Sequence, residues 1–500
     1  MSHPSLASPA PSRPVLDAVF GDLWPERVTQ GRPRLVAAAA AVGLLAAVVL
    51  PYRAPGLGAF LVLLAVYAVV AVADRRLTTP SHLAAVVLCV PLTATLLVRD
   101  AVWVVALCLL AAFAVGTAAL AGGRSVPGLV ASAASLPLAG LRGLPWLGRS
   151  LRGAQVDRPA GAWLPVLRTV AVSVGLVVVF GALFASADAV FARWVGSLVP
   201  DFSSAEMVVR AVVLAFVAGL CLAGVYLALT PPDVERLALP AGRPVRRAFE
   251  WLVPVALVVA VFAAFVAAQA TVMFGGHDYL RRTTGLTYAD YVHQGFGQMT
   301  VATLLTLAVV AAAVRKAPRT TGRDRTLLRL LLGVLCALTL VVVASALYRV
   351  HLYEQAYGFT RLRLLVSVFE AWLGVVVLMV LGAGIRLRGR WVPRAALLAG
   401  AAMLLGLAAV NPDGYIARQD VSRFVETGRA DWSYLSGLSA DAVPALAELP
   451  RPYLACALHG APARGDWLEW NLGRARAADV LARLQPGTTA TGSNPAHCAG

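Results

Sequence analysis

The sequence predicts an all-α protein, a polytopic transmembrane helical bundle of about eleven spans followed by a small extracytoplasmic helical C-terminal region. Three observations predict it. Hydrophobic residues make up 59% of the 500 and charged residues 14%, where a soluble domain carries about 25% charged. Apolar runs of about 20 residues recur, each long enough to cross a bilayer. Basic residues gather in alternate connections, as the positive-inside bias requires. The strand alternation of an outer-membrane barrel is missing.

The elements follow in chain order. Residues 1–33, rich in Pro, Ser and Arg, read as a disordered cytoplasmic tail, with a weakly amphipathic piece around Phe20 and Trp24 as the alternative of an interfacial helix. The lead before the first apolar run is too long for a cleavable signal peptide. Residues 34–121 form transmembrane hairpins with spans near 35–51, 56–73, 81–98 and 101–121. The pair flanking Arg99 and Asp100 is the least sharply divided. Residues 122–163 are a cytoplasmic linker in which apolar residues alternate with Arg, a pattern suited to a helix in the membrane surface. The main bundle, 164–411, places spans near 164–187, 206–229, 249–274, 297–314, 327–348, 361–385 and 392–411. Residues 412–500 complete the chain as a helical tail.

Charge fixes the expected orientation. Of 43 basic residues only Lys316 is lysine. With the N-terminus cytoplasmic, the inner segments hold 25 basic residues and the outer loops eight, which puts the protein in the plasma membrane with its C-terminus extracytoplasmic. The net charge of +17 is therefore a topology signal. No compact basic domain suggests nucleic acid.

The polar stretch 348–374 is the candidate site. On a helix, Arg363, Ser367, Glu370 and Gly374 share one face. Glu370 lies about 13 Å along the axis from Arg361, near the midplane of a hydrocarbon core about 30 Å thick. A carboxylate there has to be protonated, paired or hydrated. Thr339, Thr303 and Thr306 offer polar groups at similar depth, and Gln269 sits nearer the outer surface. The expectation is an outward-facing polar pocket with Glu370 at its floor. A hydrogen-bonded acid that joins helices fits the same residues. Around it, Arg349, His351, Glu354, Tyr357, Arg361 and Arg363 form a rim suited to an anionic headgroup, because guanidinium groups contact oxyanions in pairs. Interhelical ion pairing is the plainer alternative. A loop over 277–291, which Gly275 and Gly276 precede as helix breakers, completes that rim. His277 and Asp278 lack the further ligands that a metal needs.

Glu206 and Arg210 stand four apart, in the order that favours an ion pair on one helix. No nucleophile elbow or phosphate-cradling loop occurs. Nothing in the sequence implies a cofactor, and an enzyme is the less favoured class.

Several motifs resemble a known group. Gly285-Leu286-Thr287-Tyr288-Ala289-Asp290-Tyr291 with Gly295-Phe296, then Tyr357-Gly358-Phe359-Thr360-Arg361-Leu362-Arg363, then Asn411-Pro412-Asp413 with Ile416-Ala417-Arg418 look like the recurring motifs of bacterial polytopic membrane proteins in the domain-of-unknown-function families four-one-five-three and four-one-seven-three. Trp467, Trp470-Asn471 and Arg474-Ala475-Arg476 are similar too. Phe359 stands where Leu is more usual. The resemblance implies the fold and the membrane location and carries no activity.

In the tail, helices are expected over 420–427, over 439–449 with Ser439 as N-cap, and over 467–484. Its apolar core is marginal for independent folding, so packing against the membrane face is expected. Cys456 and Cys498 share the oxidising side, which allows a disulfide. The other four cysteines lie in apolar segments. The functional expectation is a cell-envelope binding or accessory protein that contacts membrane lipids, with an anionic lipid, lipid-linked precursor or envelope protein as partner. The alternative is a secondary transporter using Glu370 as a proton or cation site, although no inverted repeat supports it.

Overall fold

A computed structural model describes residues 20–25, 30–74, 76, 78–156, 204–240, 242, 245, 247–284, 296–458 and 465–484, together with the single residues 176, 180, 184 and 188. Among them every regular element is helical. The helices are α1 (Pro33–Val49), α2 (Leu57–Ala73), α3 (Pro80–Val98), α4 (Val102–Ala121), α5 (Val126–Arg142), α6 (Leu144–Val156), α7 (Ser204–Leu229), α8 (Phe249–Thr284), α9 (Phe296–Lys316), α10 (Gly322–Tyr357), α11 (Arg361–Arg386) and α12 (Val392–Val410). The tail adds α13 (Pro412–Thr427), α14 (Trp432–Ser436), α15 (Val443–Leu446), α16 (Arg451–Ala457) and α17 (Leu472–Arg483).

Seven of the described helices are long and apolar enough to cross a membrane, and four more apolar helices are shorter. The chain is thus a multi-pass membrane protein by length and composition. The expected spans before 122 and from 206 onward each coincide with a helix, while 164–187, apart from residues 176, 180 and 184, lies outside the described residues. Exposed Leu44, Val87, Phe216 and Val261 would be a liability in water but suit a lipid-facing surface.

The chain forms two compact units, 1–82 with 134–233 and 83–133 with 234–500. In the first, α1 packs on α7, α2 and α6. Gly43 permits the close approach to α7, since a Cβ there would sit 2.7 Å from the Leu214 carbonyl oxygen. Small residues serve this purpose where helices meet in lipid. Glu206 and Arg210 form the expected pair at 2.7 Å. Trp24, assigned by sequence to the disordered tail, is only 2% exposed. Its indole donates to the Thr230 carbonyl at 2.8 Å, and its ring lies beside Phe20 and Tyr226. Arg142 donates to the Trp24 carbonyl. A tryptophan that satisfies its single donor can be buried whole.

In the second unit α10 packs against α8, α9 and α11, and α12 packs against α11 and α4. The core joins Trp251 and Val255 to Val310, Leu328, Leu335 and Val377. Two expected boundaries move. Glycines 275 and 276 do not end α8, which runs on to Thr284. A glycine inside a helix costs only about 1 kcal/mol, and a long cooperative helix absorbs that. Residues 285–295, the rest of the expected loop, lie outside the described residues. The stretch 348–357, expected at the rim, continues α10 as helix. At 36 residues α10 is about 54 Å long, well beyond a hydrocarbon core of about 30 Å. Thr321 and Asp324 close its start with a reciprocal capping box, and Gly358, at φ +85°, ends it in a conformation that favours glycine.

The tail has a core of its own, built from Val421, Trp432, Leu435, Leu446, Leu454 and neighbours, with Trp432 stacked on Tyr453. The element expected over 439–449 divides into a short 3-10 turn (Ala440–Ala442) and α15, and Ser439 precedes that turn without capping it through its side chain.

Candidate functional site

Glu370 is fully buried on α11. One carboxyl oxygen accepts from the Thr300 hydroxyl of α9 at 2.9 Å, and the other, Oε1, has no hydrogen-bond partner. One turn on, Gly374 lets α11 close on α10, its Cβ position lying 3.2 Å from Val343. Thr339, Thr303 and Thr306 are buried, but each hydroxyl bonds a carbonyl of its own helix. Thr300, one turn before Thr303, is the hydroxyl that reaches the acid, and the sequence reading missed it. Gln269 turns its amide to the Met299 sulfur.

The rim residues divide by partner. His351 is exposed beside Gln355 at 3.0 Å. Tyr357 is exposed and packs on Tyr353. Arg349 is partly buried on α10. Glu354 is buried with Oε1 unpartnered. Arg363 donates to the Tyr357 and Gly358 carbonyls and lies over the Tyr353 ring at 4.5 Å. Arg361 points into the tail, where it grips Asp413 with two hydrogen bonds of 3.0 and 2.6 Å. The side chains of His277 and Asp278 lie outside the described residues.

That grip is part of a larger polar junction. Asp413 is fully buried and also accepts from the Trp103 indole and the Ser439 backbone N–H, each at 3.0 Å. Burial alone would raise its carboxyl, but the hydrogen bonds from Arg361, Ser439 and Trp103 outweigh it and hold the group below the ordinary carboxylate value. The Arg361 backbone N–H donates to the Tyr434 hydroxyl.

The turn between α3 and α4 is clasped at both ends. Asn471 donates to the Leu96 and Arg99 carbonyls, each at 2.9 Å. Asp441 accepts the Asp100 and Ala101 N–H groups at 2.6 and 2.9 Å. Arg99 donates to the Ala408 and Ala409 carbonyls at the end of α12, and Arg474 pairs with Asp100 at 2.6 Å. These side chains satisfy the backbone groups that helix ends leave open. Burial raises the Asp441 carboxyl despite its backbone donors and Arg99. Burial likewise pushes Asp420 up to about 6, against the Phe359 N–H and the charges of Arg423 and Arg363.

The Cys456 sulfur is disulfide-bonded, and Cys498 lies outside the described residues. Cys89, Cys108, Cys221 and Cys336 are free and buried. Among the described residues no cluster of three or more His, Cys, Asp or Glu could hold a metal ion.

The family model described as "Domain of unknown function (DUF4153)" matches residues 82–449. The chain belongs to the DUF4153 family. The match is to the first of the two families it resembles. No similar curated protein and no similar solved structure is found. Among the described residues of this DUF4153 protein, the resembling motifs at 357–363 and 411–418 have structural work. Thr360 caps α11 by accepting the Arg363 N–H, the Phe359 N–H reaches Asp420, and Asn411, at φ +59°, caps α13 by accepting the Gly414 N–H. Asn471 and Arg474 lie beyond the residues matched to DUF4153.

Proposed function

We propose that this protein is a binding protein of the cell envelope, set in the plasma membrane with its N-terminus cytoplasmic and its tail outside. Glu370 is its ligand-contacting acid. The Arg asymmetry between alternate connections supports the orientation, and a disulfide at Cys456 fits an oxidising compartment. The ligand is an envelope lipid headgroup, lipid-linked precursor or partner segment entering from the tail side past Arg349, His351 and Tyr357. Arg361 and Arg363, already bonded within the chain, shape the rim.

One observation carries the reading: a fully buried carboxyl with a single hydroxyl partner and a second oxygen that bonds nothing. Buried polar groups are nearly always satisfied, and a bound ligand group would satisfy this one. Mass spectrometry of the gently purified protein tests it. The wild type retains a species that Glu370→Gln loses at unchanged expression and thermal stability. Equal retention by both proteins overturns the reading.

A second reading, a transporter using Glu370 as proton or cation site, is favoured by the lack of a basic partner on Glu370 among the described residues. Proton-driven uptake in proteoliposomes, abolished by Glu370→Gln, would select it.

A further inference from the structure

An apolar cleft of about 470 Å³ opens between the ends of α9, α10, α11 and α12 remote from the tail. Its volume falls within the usual range of ligand sites, about 300–1,000 Å³. Val310, Leu332, Leu381 and Ile385 line it, and so do two exposed arginines, Arg319 and Arg329. Two glycines on facing helices, Gly333 and Gly384, also line it, and a Cβ at either would meet no atom within 4 Å. The two glycines thus leave open space along the facing sides of α10 and α11, in a cleft that is open on one side. It begins about 15 Å or more along α11 from Glu370, so it is separate from the site above.

We infer that this cleft binds an anionic phospholipid, with an acyl chain between α10 and α11 and the phosphate held by Arg319 and Arg329. In a bilayer, any apolar groove is filled by some hydrocarbon chain. Charge is what makes this one selective. Arg319 spends one N–H on the Val314 carbonyl at 2.5 Å, which leaves its other N–H groups for a ligand. Arg329 makes no hydrogen bond or ion pair among the described residues. The nearest carboxylate on α10, Asp324, is occupied by Thr320 and Thr321. Guanidinium groups suit phosphate oxygens, and basic pockets between helices at the cytoplasmic side hold acidic headgroups. The inference does not depend on the role of Glu370.

Native mass spectrometry of the full-length protein in detergent tests it, with dioleoyl phosphatidylglycerol, dioleoyl phosphatidylcholine and inorganic phosphate as separate probes. The wild type should favour phosphatidylglycerol over phosphatidylcholine by about tenfold in Kd. Arg319→Ala with Arg329→Ala should bring that ratio close to one. Arg323→Ala with Arg325→Ala removes the same charge outside the cleft and should leave the ratio unchanged. Gly333→Leu with Gly384→Leu, which project into open space, should weaken both lipids. A wild-type ratio near one, a ratio insensitive to the Arg319 and Arg329 pair, or undiminished lipid binding in the leucine variant overturns the proposal. Displacement of the lipid by phosphate alone does so too, by assigning the arginines to a free anion.

Discussion

Replacing Arg361 with alanine tests whether the tail is locked to the bundle by charge. Asp413 has no exposed side-chain surface and Arg361 has about a third of its own. Removing the arginine leaves a buried carboxylate holding only the Trp103 and Ser439 donors. Breaking a buried pair from one side costs about 3–5 kcal/mol. Solvent reaches the arginine, so the pair is less than fully desolvated and we expect about 2–3 kcal/mol. Every 1.4 kcal/mol is tenfold in an equilibrium, so amide exchange over 412–446 should quicken about thirty- to a hundredfold in nanodiscs. Asp413→Ala should act similarly. The double variant should fall short of the summed losses by about 1–2 kcal/mol, because the two residues share one interaction. Exchange in Arg361→Ala within twofold of wild type would refute the lock, and strict additivity would refute the pairing.

Three further outcomes are expected. Gly473→Ala should gain about 1 kcal/mol of helix propensity yet loosen the tail, because the new methyl would collide with the Asp441 carboxylate; faster exchange over 472–483 checks this. Trp24→Ala should lower thermal stability in detergent by about 3–5 kcal/mol, whereas Trp24→Phe loses mainly the bond to Thr230, about 1 kcal/mol. Tail docking should tighten as pH falls from 7 to 5. Asp420 is raised from 3.8 to about 6, so its contribution to docking is complete below 3.8 and is lost as pH rises through about 6. Asp413 is lowered, so its contribution holds above the ordinary carboxylate value and is lost only at more acid pH. Intrinsic-rate-corrected exchange over 412–427, compared with Asp420→Asn, reads the difference.

The helical, membrane-crossing architecture was legible because apolar runs of spanning length leave few alternatives. Glu370 was legible for the same reason, as an acid placed deep in such a run. Its partner was not. Thr300 and Thr303 differ by one turn, and only helix packing decides which faces α11. Arg361 was legible as an unusual charge but not as half of a pair, because Asp413 is 52 residues away and nothing local links them. Asp441 and Asn471 act on backbone atoms of a turn more than 300 residues earlier, and a backbone acceptor leaves no trace in residue types. The glycines of α8 misled for the opposite reason: a local breaker signal lost to the length of the helix around it.

The clasp on the α3–α4 turn sets an order of events during synthesis. Asn471 follows Leu96 by 375 residues, so at about 5–20 residues per second the ribosome needs roughly 20–75 s to deliver it. Until then the turn lacks the side chain that holds the Leu96 and Arg99 carbonyls in the folded chain. A chain that ends before 471 would lack both bonds, and the Leu96 and Arg99 carbonyls would have to take water as their partner instead.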